Sequence, residues 1–450
     1  MDNKEYYSTQ TKLAVANFGK DSLPPELIIS YAQVKKACIM AIQEYEKRFN
    51  IEIYNCIIKA IDLIIEGKYN DQFVLPLEQG GAGTSLNFNF NEVIANLSKE
   101  IYLETFHNEA KIDPIDDINR FQSTNDTFPT AVTVLLLRKL MKLEMLVIDL
   151  QEILIKKESE YENIIITGRT EMQDALPITL GQVFASWAGS IERDRWRLNK
   201  LKERVRTIPL GGTAIGTCFF APKEYVFFAE KHLRNITNLS ISRSQNLTDE
   251  IANLDKLSEL ANGVSLVAEN LFKITGDLLL YTSSFVGELI HPNLQYGSTI
   301  MAAKTNPVIL EYVRGLSIDI QFECKKISCY TQNGQLQLNP YLPFVVKSFL
   351  HAFDSTEKAI TSFINKFIKL LEINPKKIEN NFLNSKALLN SLIPIFGYNK
   401  VKELQSVFEK EKPSSLDELK NIIIKETEAD KTLIDSYFDP INLTSFFKKR

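Results

Sequence analysis

Five stretches of this 450-residue chain set small and polar side chains between long apolar runs. They are residues 79–89, 122–126, 168–174, 211–217 and 296–307. Within them, Thr84, Ser123, Thr124, Asn125, Thr170, Lys304 and Asn306 offer hydroxyls, amides and one cation. Such groups, if they converge, hold carboxylate oxygens and leave a site positive enough for a small dianion. Ser298 lies beside Gly297, where a loop can present its hydroxyl to a substrate. Neither glycine run is a nucleotide loop: residues 80–85 lack the Gly-Lys-Ser/Thr ending, and residues 211–216 lack G-x-G-x-x-G spacing. Taken singly, each stretch also reads as a turn, and Ser123 to Asp126 reads as a helix cap, with Pro129 expected in the first turn.

Composition narrows the alternatives. The 52 basic and 56 acidic side chains leave a net charge of −4, with no footprint for nucleic acid or anionic lipid. The apolar fraction of 44% supports a sizeable core. Five cysteines, Cys38, Cys56, Cys218, Cys324 and Cys329, are too sparse for a disulfide framework. The Cys324/Cys329 pair and the four dispersed histidines form no metal signature, so no metal and no cofactor are expected. The polar start, Met1-Asp2-Asn3, resembles no secretory leader, and no apolar run has the length of roughly 20 residues that a membrane span needs. The expected setting is the cytoplasm.

These segments need a rigid frame, and the sequence supplies one in helices. Leu136, Leu140, Leu143, Val147, Leu150 and Leu154 recur at intervals of three and four, as do Leu257, Leu260, Val264, Val267, Leu271, Ile274 and Leu278. This rhythm places one apolar seam on each helix and suits near-parallel bundle packing. Seams this long are expected to need partner subunits to bury them. Strand signals are weak, with a short β-prone piece at residues 163–166. Polar, proline-containing stretches suggest an N-terminal helical domain over 1–115, a central helical bundle over 116–373 and a small C-terminal helical domain over 374–450.

The same segments resemble the aspartase/fumarase superfamily. Tyr6-Tyr7 with Gln10-Thr11 is similar to its YYGxQT stretch, and residues 79–96 to QGGAGTSxNMNxNEVIAN. Residues 123–130 resemble S[ST]NDxxPT, residues 168–182 GRTxxQDAxPxTLGQ, and residues 297–308 the signature GSSIMPxKVNPV. Residues 334–339 read GQLQLN, and residues 384–398 resemble the C-terminal NSxxxxxxLxPxIGY. The resemblance implies an all-α, three-domain subunit around a long-helix bundle. It also implies a homotetramer whose active sites draw on three subunits, and a small dicarboxylate substrate.

The implied reaction is anti-elimination from a succinyl compound to fumarate. By motif position, Ser298 is the general base, Lys304, Asn306 and Thr170 bind one carboxylate, and Thr84, Ser123, Thr124 and Thr299 grip the other. Asn125 faces the leaving group. The GQLQLN stretch and Ala303 favour aspartase, and so ammonia, over fumarase, and so water. Two departures stand out: Ala302 replaces the signature proline, and Glu171 occupies a position usually held by His. Glu311 lies where a carboxylate usually pairs with that His, so Glu171 and Glu311 are counted with the catalytic residues. Glu171 points away, pairs with a substrate ammonium, or is protonated and stands in for Gln. The second of these opens the reading to an N-substituted aspartate. An inert scaffold is the rival from another class, opposed by the presence of Ser298, Lys304, Asn306 and Thr84.

Overall fold

Helices carry most of the chain, and the computed structural model describes residues 4–444; residues 1–3 and 445–450, including the polar start and the end of the expected C-terminal domain, lie outside the described residues. In order they are α1 (Thr9–Phe18), α2 (Pro25–Glu46), α3 (Ile51–Ile65), α4 (Thr84–Phe106), α5 (Thr124–Glu160), α6 (Leu180–Val205), α7 (Lys223–Thr237) and α8 (Leu247–Ala252). There follow α9 (Asp255–Tyr281), α10 (Val308–Thr331), α11 (Leu342–Lys366), α12 (Pro375–Leu383), α13 (Lys386–Glu411), α14 (Leu416–Thr427), α15 (Lys431–Tyr437) and α16 (Pro440–Thr444). No helix of the described residues is long and apolar enough to cross a membrane.

The predicted seams are core. On α5, Leu140, Val147, Leu150 and Leu154 are fully buried, and on α9 so are Leu260, Val264, Val267, Leu271 and Leu278. They are buried within one chain, which corrects the expectation that partner subunits must cover them. The expected link between seam length and oligomer therefore fails. The outward faces are another matter: along α10, Tyr312, Ile318 and Phe322 are exposed.

Packing divides the chain into two units, each assembled from three stretches. Unit 1 holds residues 1–144, 196–266 and 319–356; unit 2 holds residues 145–195, 267–318 and 357–450. Helices α5, α6, α9, α10 and α11 each run from one unit into the other. In unit 1, α2 packs against α3 and α7, and α3 against α4. Helix α2 opens with Pro25 at its first position, where a missing N–H costs nothing, and buries Leu27, Ile28, Tyr31, Val34, Lys35, Cys38 and Ile42.

Unit 2 contains the longest sheet, a hairpin of β1 (Ile165–Thr170) and β2 (Gln173–Thr179). The strand signal at residues 163–166 thus marks a strand that begins later and runs four residues further. Thr170 pairs with Gln173, so the turn is the two residues Glu171 and Met172, both left-handed with φ of 52° and 62°. This is the backbone that two-residue hairpins favour, but it is usually built from Asn and Gly. The C-terminal helices enclose a separate core of Phe382, Leu392, Leu404, Leu419, Ile423 and Ile434.

Candidate active site

Two helix N-termini line a cavity of unit 1. Thr84 is the first residue of α4 and Thr124 the first of α5. Gly83, at φ +91°, lets the ends come together: a Cβ there would lie 2.8 Å from the ring of Phe128. The cavity holds about 520 Å³ and brings four predicted residues together, Thr84, Ser123, Thr124 and Asn125. Phe88, Ile115, Phe121, Phe219 and Phe220 form its apolar side. Hydroxyls at two helix N-termini, each the positive end of its dipole, make a cradle for an anionic oxygen.

A capping box builds the second of these ends. The Ser123 Oγ accepts from the Asn125 N–H at 3.2 Å, and the Asp126 carboxylate accepts from the Ser123 N–H at 3.0 Å. The other Asp126 oxygen accepts from the backbone N–H groups of Gly211 and Thr213, at 3.2 and 3.0 Å. One carboxylate thus ties the second polar stretch to the fourth. Its burial pushes its pKa up to about 6, against the pull of those N–H groups and of Lys35. The cap displaces one expectation: α5 starts at Thr124, so Pro129 is its sixth residue and falls in the second turn.

Asn125 donates its Nδ2 to the carbonyl of Ala214 at 2.8 Å. A carbonyl only accepts, so this contact fixes the amide and leaves the Asn125 Oδ1 as an acceptor.

The other predicted residues belong to unit 2 and fall on three elements. Thr170 and Glu171 are exposed at the tip of the β1–β2 hairpin. One residue before the tip, Arg169 makes a two-point pair with buried Glu288 at 2.7 and 3.2 Å, and Asn381 donates to the same carboxylate at 3.0 Å. Ser298, Thr299, Lys304 and Asn306 occupy one loop, closed by the Gly297 N–H on the Lys304 carbonyl at 3.0 Å. The Asn306 Nδ2 donates across it to the Gly297 carbonyl at 2.9 Å. Gly297 sits so close to Lys304 that a Cβ would lie 2.6 Å from that carbonyl oxygen. The Ser298 Oγ accepts from the N–H groups of Ile300 and Met301, at 3.2 and 3.1 Å. Glu311 is exposed in the first turn of α10. Among the described residues, no hydrogen bond or ion pair joins the side chains of Glu171 and Glu311 to each other.

The comparisons with known proteins bear on this geometry. The family described as Lyase matches residues 4–321. The chain belongs to the aspartase/fumarase superfamily of lyases. It is 33% identical to an aspartate ammonia-lyase of Helicobacter pylori over the whole of this chain and 97% of that protein. It is also 32% identical to a class II fumarate hydratase of Prochlorococcus marinus, over 89% of this chain and 88% of the relative. Among solved structures, a fumarate lyase:delta crystallin from Brucella melitensis aligns with a TM-score of 0.86 at 31% identity, covering 98% of this chain and 97% of that one.

The site residues predicted from the motifs are the groups expected to touch substrate, and that set leaves out the residues that hold them, although two of these, Asn87 and Asp126, stand in the same motifs. Lys35, Asn87, Asn119 and Asp126 are the holding residues. Asp126 carries a signal, since Ser123-x-x-Asp126 has capping-box spacing. Lys35 carries a fainter one, as a cation among the buried positions Tyr31, Cys38 and Ile42 of α2.

Proposed function

We propose that this lyase is an aspartate ammonia-lyase, releasing ammonia from L-aspartate to give fumarate. The observation that carries the reading is Asn125. With one N–H directed to Ala214 and no hydrogen-bond partner at its Oδ1 among the described residues, Asn125 offers an acceptor that suits a donor-only ammonium. In the proposed reaction, Ser298 as its alkoxide takes the proton from the carbon beside one carboxylate. The electron pair spreads into that carboxylate as an aci-carboxylate dianion, then forms the double bond as the C–N bond breaks and ammonia departs. The two N–H groups on the Ser298 Oγ support the base role, because they stabilise its anion. Thr84, Ser123, Thr124 and Thr299 grip the carboxylate that becomes the dianion, and Lys304, Asn306 and Thr170 hold the other. Asn306 already donates one N–H to Gly297, so its remaining N–H is the one available to substrate.

The proposal carries a cytoplasmic homotetramer of three-domain subunits whose active sites combine segments from different subunits. The exposed Tyr312, Ile318 and Phe322 on α10 support an interface there. Class II fumarate hydration is the second reading, favoured by a relative of almost equal identity. Deamination of an N-substituted aspartate is a third, favoured by the exposed carboxylate of Glu171. Fumarate absorbance separates them. The purified chain is expected to form fumarate from L-aspartate and not from L-malate; activity on malate alone replaces the reading with the second, and activity on N-substituted aspartates alone with the third.

A further inference from the structure

Lys35 is fully buried, and Asp126, the carboxylate that acts on its charge, makes no ion pair with it among the described residues. Its ammonium donates to two neutral amides, the Asn119 Oδ1 at 3.1 Å and the Gln122 Oε1 at 2.9 Å. An apolar side chain of similar size would fill this place at less cost, since a buried cation gives up its hydration. The contacts it makes lead toward the cavity. The Asn119 Oδ1 also accepts from the Asn87 Nδ2 at 3.0 Å, and the same Nδ2 donates to the Thr124 Oγ1 at 3.1 Å.

Each step of this chain has only one polarity. Burial holds the Lys35 pKa down at about 7, so below that pH it is an ammonium, with donors and no acceptor, and the Asn119 atom facing it is the oxygen. That oxygen accepts, so the Asn87 atom facing it is the nitrogen. The second hydrogen of that nitrogen goes to Thr124, so the Thr124 oxygen accepts there. A hydroxyl has one hydrogen, and in Thr124 it is left to point elsewhere. Thr124 lines the cavity and is 7% exposed. We propose that Lys35 is a positioning residue for substrate binding: through Asn119 and Asn87 it fixes the Thr124 hydroxyl as a hydrogen-bond donor into the carboxylate cradle.

This inference rests on the reading of the cavity as a dicarboxylate site and adds the origin of its polarity. A pre-set donor meets an incoming carboxylate with no reorientation, whereas a free hydroxyl must first be turned. The Asn87 Oδ1 has no hydrogen-bond partner among the described residues, so nothing holds the amide except the two bonds its nitrogen makes. Without Lys35 the Asn119 amide keeps, besides its bond to Asn87, only the long bond from its Nδ2 to the Gln122 carbonyl at 3.3 Å, and the loosened Asn87 amide can turn over and take the Thr124 proton for itself.

The test is a double-mutant cycle on the full chain, read as the dissociation constant for succinate, a dicarboxylate with no leaving group, by calorimetry. Thr124→Val alone is expected to weaken binding about tenfold. Lys35→Met alone should weaken it by a similar factor, and Thr124→Val added to Lys35→Met should weaken it by less than about twofold more. Thr84→Val, outside the relay, should keep its full effect in the Lys35→Met background. Equal Thr124→Val effects in both backgrounds overturn the proposal. If Lys35→Met does not fold, Asn119→Ala breaks the same relay and must give the same non-additivity. A wild-type chain that neither binds succinate nor turns over aspartate or malate defeats the dicarboxylate reading itself. Normal wild-type binding with additive mutants defeats the relay alone.

Discussion

The cradle of unit 1 and the loop and hairpin of unit 2 bind their predicted residues in opposite ways. Around the cradle, Asp126 takes three backbone N–H groups, Lys35 anchors two amides, and Thr124 is buried. In unit 2, Glu171, Thr299, Lys304 and Glu311 are exposed, and the hairpin tip places two side chains in the left-handed region. The difference teaches where each task is prepared. Holding the carboxylate on which charge develops calls for donors fixed before the substrate arrives. Proton abstraction calls for one oxygen whose anion is stabilised, and the loop provides that locally at Ser298.

The comparison breaks first at Ser298. Ser298→Ala is expected to cut turnover of aspartate by roughly a thousandfold or more while succinate binding stays within about twofold. Loss of binding with turnover intact would place the grip where the chemistry is assigned. The cradle comes next: Ser123→Ala removes a hydroxyl and a cap together. It should raise KM for aspartate about tenfold and lower stability by about 1 kcal/mol, measured by steady-state kinetics and urea unfolding.

Protonation sharpens the contrast further, because the shifted groups lie under the cradle. Burial holds Lys35 down at about 7. An unfolded lysine titrates near about 10.4, so over the interval between them the unfolded chain binds the extra proton and stability rises with pH. Asp126, raised to about 6 from an unfolded value near about 3.9, contributes stability that is lost as pH rises through about 6. Cys38 and Tyr31, both pushed up by burial, and Asp126 are the titratable groups that face Lys35. In Lys35→Met the rise in Tm between about pH 7 and about pH 10 should flatten; an unchanged slope would show that another group carries it.

Glu171 tests the hairpin. Glu171→Gln is expected to keep or raise aspartate deamination, measured as initial rate; a hundredfold loss would assign its charge a role in the reaction. The smallest effect is structural. Replacing Glu171 and Met172 with Asn and Gly should stabilise the chain by about 1 kcal/mol, because both positions then accept positive φ without strain. Such a gain is read from the urea midpoint.

Much of this was legible in the residues themselves. The spacing of Leu136 to Leu154 and of Leu257 to Leu278 identifies helices whose seams are buried, and the Ser123–Asp126 cap marks where α5 begins. What stayed hidden depends on contacts distant in sequence. The burial of both seams inside one chain follows from which helices meet, and spacing along one helix does not contain that. The hairpin was hidden because Glu171-Met172 carries none of the usual turn residues. Lys35 lies 84 positions from Asn119 in the chain, so its place beneath the cradle exists only once the helices have packed.

The central claim is that the departing group is an amine. Fumarate offered to the enzyme in water with excess ammonium puts the two nucleophiles in one tube, and product analysis by NMR reads the choice. Aspartate as the product, with malate absent above the enzyme-free control, is the predicted result. Malate accumulating while ammonium goes unused would contradict the account.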